Sequence, residues 1–178
     1  MSLQPPLAGF FFVNTTAHKI WNKMMENQFS LEMESFSASD GWMDCCLVAS
    51  GQRHALSATS VFPPFQDLLK FIRAIAANTL PHEFFWGEEG YGALFQAQAA
   101  ETKNDGLLFR LKVTLHDEVI VDADFERMRI VEDLLESLRN VALDCPGAES
   151  EWAFPYFLIE NFERDLMQGF TPHFIDGS

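Results

Sequence analysis

The chain has 178 residues, 26 acidic against 12 basic side chains and a formal net charge of −14. A hydrophobic fraction of 48% with 18 Phe supplies a sizeable core without disulfides and excludes a mainly disordered chain. The charge excludes nucleic acid as a favoured partner, because that binding needs Lys and Arg to neutralise phosphates, and it favours a basic protein.

Residues 1–28 read as an N-terminal extension with an aromatic cluster, Phe10, Phe11 and Phe12, followed by Ala17 to Glu26, whose pattern fits a helix or a strand. Phe29 to Phe36 alternates Phe29, Leu31 and Met33 with Ser30, Glu32 and Glu34, the period of a half-buried strand. Ser39-Asp40-Gly41 turns the chain, Trp42 to Ala49 is a second strand, and Ser50-Gly51-Gln52 a second turn. Arg53 to Val61 is the third strand. Pro63 and Pro64 then introduce a helix from Phe65 whose apolar positions 65, 68, 69, 72, 75 and 76 share one face.

Thr79-Leu80-Pro81 breaks that helix. Strands follow at His82 to Trp86, Tyr91 to Ala100, Leu107 to Leu115 and Glu118 to Ala123. They are separated by Gly87-Glu88-Glu89-Gly90, Lys103-Asn104-Asp105-Gly106 and His116-Asp117. The next helix repeats the first. Val131-Glu132-Asp133-Leu134-Leu135 stands 66 positions after Phe65-Gln66-Asp67-Leu68-Leu69, with Arg139 answering Arg73, and Asp124 is placed to cap it. In both copies the Asp and Arg read as complements to the helix dipole.

Strand order and spacing follow the same offset. The expected fold is therefore α+β, built of tandem βββα units from an internal duplication that pack as a pseudo-twofold pair, antiparallel sheet with helices packed on one face. The units span 29–80 and 81–143 within one compact domain, and their seam is the natural place for a groove. Residues 144–178 form an aromatic and acidic tail, with Trp152, Phe154, Tyr156 and Phe157 among interleaved Glu and a helix over Phe157 to Met167.

No catalytic constellation emerges. The five His include no pair at i, i+2 or i+4, there is no CxxC, HExxH or GxSxG, and Cys45 and Cys46 face opposite sides of a strand. No metal, cofactor or catalytic residue is expected, and the balance is against an enzyme. Three Cys, an odd number, point to a reducing cytoplasm. Neither a signal segment nor a membrane span is expected.

Two functions remain. The first is a protein-binding module, immunity-like or inhibitor-like or oligomeric, holding a basic partner or a second copy through Trp152, Phe154, Tyr156 and Phe157. On that reading Trp152→Ala with Tyr156→Ala removes binding and spares the fold. The second is a small-ligand binder or enzyme with its site in the seam, near Trp42, His54, Trp86, Tyr91 and His116.

Overall fold

The computed structural model describes residues 29–37, 41–49, 51–87, 91–101, 106–144, 152 and 154–168. The readings made for residues 1–28, for the start of the tail at 145–151 and for the chain beyond Gln168 fall outside them. The elements in order are β1 (Phe29–Ser37), β2 (Trp42–Ala49), β3 (Gln52–Thr59), α1 (Phe65–Ala76), β4 (His82–Gly87), β5 (Gly92–Ala99), β6 (Leu108–Leu115), β7 (Glu118–Glu126), α2 (Arg127–Asp144) and α3 (Tyr156–Met167).

The class is α+β, and the strands form two antiparallel sheets. Sheet β1-β2-β3 has three strands and sheet β4-β5-β6-β7 has four. They meet at β3 and β4, where no backbone ladder forms among the described residues. There the buried Trp86 donates its indole N–H to the Ser57 carbonyl at 3.1 Å. A large side chain stands where a strand-to-strand hydrogen bond would have joined the two sheets, and the free edge of β3 is occupied by it.

Each helix lies against the sheet it does not follow. α1 packs on β4 and α2 on β1, and the two helices also pack on each other. Phe71 of α1 sits between Phe84 and Phe95, at ring separations of 5.1 and 6.3 Å. The position 66 residues on is Ser137, which faces a different problem. β1 has a strand on one side only, so its outward amides need other acceptors. Ser137 Oγ accepts from the Leu31 N–H at 3.0 Å and donates to the Asp133 carbonyl at 2.9 Å. In sheet two β5 has β4 on one side and β6 on the other, whereas sheet one closes the outer edge of β1 with a helix hydroxyl.

Asp124 does not cap α2. It lies within β7, opposite Arg110. The inward-facing Phe125 contacts Phe29 and Phe109, which holds β7 in strand geometry to Glu126, and α2 starts directly at Arg127. Starting early puts Asp133 in the second turn rather than the first, so the dipole reading fits Asp67 and not Asp133. Asp133 pairs with Arg129 at 3.0 Å; burial nonetheless raises its carboxyl above the ordinary 3.8, against the pull of that guanidinium.

The β6–β7 connection has two residues, His116 (φ 49°) and Asp117 (φ 66°), both left-handed. This is the geometry for which Asn-Gly is the preferred pair. His116→Asn with Asp117→Gly should raise stability by roughly 1 kcal/mol by removing left-handed strain. The urea midpoint reads it directly, and an unchanged or lower midpoint would contradict the turn geometry.

Candidate functional site

The seam is packed solid. Phe65 and Leu68 from α1, Leu138 and Val141 from α2, Leu31 and Cys45 from sheet one and Trp86 from sheet two surround a void of about 10 Å³. That is roughly the space of one water-sized sphere. The polar side chain on its wall is Ser137, already engaged on both sides.

Of the five residues read as seam candidates, Trp86 alone lines this void. His54 sits half-buried on β3, opposite Leu47. Trp42 is exposed at the start of β2, opposite Thr59. Tyr91 and His116 approach each other on the surface, with ring centroids 6.2 Å apart. The structure thus brings together one pair of the five. Among the described residues no group of three His, Cys, Asp or Glu is placed to hold a metal ion.

Cys45 and Cys46 point to opposite sides of β2, and both are buried thiols. Cys46 lies on the outward side, beside Arg53, which reaches from β3 to Glu32 at 2.6 Å and Glu34 at 3.0 Å on β1. A register shift between Met33 and Ser35 accompanies this arrangement. Burial pushes the Cys46 thiol up, the two carboxylates add to the rise, and Arg53 opposes it. A thiol raised in this way is a poor nucleophile.

The tail folds back onto the helices. Trp152 is fully buried, 6.1 Å from the Phe65 ring, and Phe154 stands 4.7 Å from the same ring. Tyr156 is half-buried against Phe154, at 4.7 Å. Phe157, 71% exposed, is the member of the four that faces outward.

The repeated arginines do what the sequence did not suggest. Arg73 of α1 donates to the Leu158 carbonyl at 3.1 Å and lies over the Phe162 ring at 5.3 Å. Arg139 of α2 pairs with Glu163 at 2.7 Å. Both hold α3, one from each helix. Their recurrence in register was visible; their common target, 85 and 24 residues away, was not.

No family model, curated protein or solved structure matches the chain. No helix among the described residues is long and apolar enough to cross a membrane.

Proposed function

We propose that the chain is a protein-binding module of the immunity or inhibitor kind, which holds a basic partner through an acidic surface set with aromatic anchors. The observation that carries this reading is the coexistence of a net charge of −14 with exposed Phe62, Phe85, Tyr91 and Phe157. Aromatic anchors inside a charged rim are the usual makings of such an interface. The charge also argues against a homodimer through the same surface, since two copies repel.

Two further parts of the reading have support of the same kind. Tandem duplication is supported by the spans of β2 and β6 and of β3 and β7, which begin 66 residues apart, and by the shared helix motif; β4 is then an addition to the second unit. A cytoplasmic location is supported by the odd number of Cys, three, which makes no disulfide framework.

Selection of a random displayed-peptide library on the purified chain tests the binding reading. Enriched peptides should combine Lys or Arg with aromatic residues and be released by about 0.5 M salt, where exposed charges are screened. Enrichment of acidic peptides, or none, contradicts it.

The small-ligand alternative keeps one specific support, away from the seam. An open depression of about 380 Å³ lies between Pro81, His82 and Glu83 of the β4 side and Gln96, Ala97 and Gln98 of β5. Its wall mixes polar His82, Glu83, Gln96 and Gln98 with apolar Pro81 and Ala97.

A further inference from the structure

The outward face of the four-stranded sheet breaks its own pattern. Side chains alternate across a strand, so the face turned from the helices should be polar. Two of its rows obey. Glu83, Gln96, Lys112 and Asp122 are successive cross-strand partners from β4 to β7, and Gln98, Arg110 and Asp124 continue beside them. The neighbouring row does not. Phe85, Leu94, Thr114 and Val119 are also successive partners, and three of the four are apolar, with Thr114 between Leu94 and Val119.

Phe85 is 51% exposed and Val119 47%, with Leu94 and Thr114 half-buried between them. The Phe85 ring is held in place. It lies over the cross-strand pair Gly87 and Gly92, where a Cβ on either glycine would run into it. An anchor fixed before binding loses little freedom on binding.

We propose that this row is the docking line for a basic amphipathic helix of the protein partner, lying across the strands. The inference rests on the protein-binding reading above and names the surface and the chemistry of what it holds. Four strands span three spacings of about 4.8 Å, or about 14 Å. A helix covers that in nine or ten residues, and its anchors at i, i+3 or i+4, i+7 and i+10 or i+11 recur about every 5 Å. Phe85, Leu94, Thr114 and Val119 meet such a stripe in turn, three of the four contacts being apolar.

Charge selects the occupant. Both polar rows lie on one side of this line: the adjacent one carries Glu83 and Asp122 against Lys112, and the next carries Asp124 against Arg110. Arg110 serves two of those carboxylates, Asp122 at 2.8 Å and Asp124 at 3.5 Å. Glu126 extends the same alternation on β7. A helix with Lys or Arg beside its apolar stripe completes this face, whereas a second copy of the chain brings the same excess of carboxylate.

The test uses two synthetic 18-residue helices of one pattern, Leu with Lys and Leu with Glu, titrated into the purified chain by fluorescence anisotropy. The Leu-Lys helix should bind and weaken with salt, and the Leu-Glu helix should not. Phe85→Ser with Val119→Ser should weaken binding at least tenfold, and so should Val119→Ser alone, though less. That single variant leaves the glycine pair covered and keeps the test valid if loss of Phe85 disturbs the hairpin. Met167→Ala, at an exposed residue of α3 outside the set of aromatic anchors, should leave binding unchanged.

Equal binding of both helices, no binding of either, or full binding by both β-sheet variants overturns the proposal. If binding survives the sheet variants and is lost with Phe157→Ala, the docking line is wrong and the protein-binding reading stands. If displayed basic peptides also fail to be retained, both fall.

Discussion

Replacing Trp152 by Ala is expected to cost about 3–5 kcal/mol, enough to unfold much of the protein under conditions where the native chain is stable. Read as an exposed tail anchor, Trp152 should tolerate truncation, since substitutions on an open surface stay within about 0.5 kcal/mol. The structure removes that option: its ring is fully buried and packs on Phe65, which also contacts Trp86 at 6.4 Å and Phe154. Losing the indole opens a hole at the point where α1, sheet two and the tail converge. Urea unfolding followed by far-UV circular dichroism measures the loss. Phe157→Ala is the control, a large aromatic of the same tail that is 71% exposed, and its removal should leave the midpoint nearly unchanged.

Ser137→Ala should cost about 1–3 kcal/mol, although Ala is the better helix former. The substitution removes the acceptor of the Leu31 amide and leaves a buried donor at the edge of β1 unsatisfied. Ser137→Thr retains an oxygen in that position and should restore much of the loss, with the adjoining void giving its methyl some room. The pair of variants separates the hydrogen bond from the packing. If Ala proves neutral, β1 is protected by something other than α2.

What could be read from the sequence was local. The bounds of β2, Trp42 to Ala49, follow directly from turns on both sides, and the face of α1 follows from its 3.6-residue period. The tail helix was foreseen within one residue of its start. The way the two sheets meet was not, because it rests on Trp86 reaching Ser57, 29 residues away, rather than on any period. Nor could the alternation of sheet one show that Cys46 and Val48, on its outward side, are buried. At the candidate sites the same limit applied: aromatic residues of the tail look alike in sequence, and only packing separates the buried Trp152 and Phe154 from the exposed Phe157. Phe71 and Ser137 hold the same place in two helix stretches that share five of twelve residues, and the sequence alone does not tie Ser137 to the edge of β1.

α3 and the residues leading into it belong to the same core as α1 and α2, held there by Arg73, Arg139 and the Phe65 cluster. Native-state hydrogen exchange decides whether they do. The amides of Ile159 and Phe162 should open only with those of Ile72 and Leu134, at the free energy of global unfolding. Exchange of α3 at the rate of a free peptide, while α1 and α2 stay protected, would contradict a shared core.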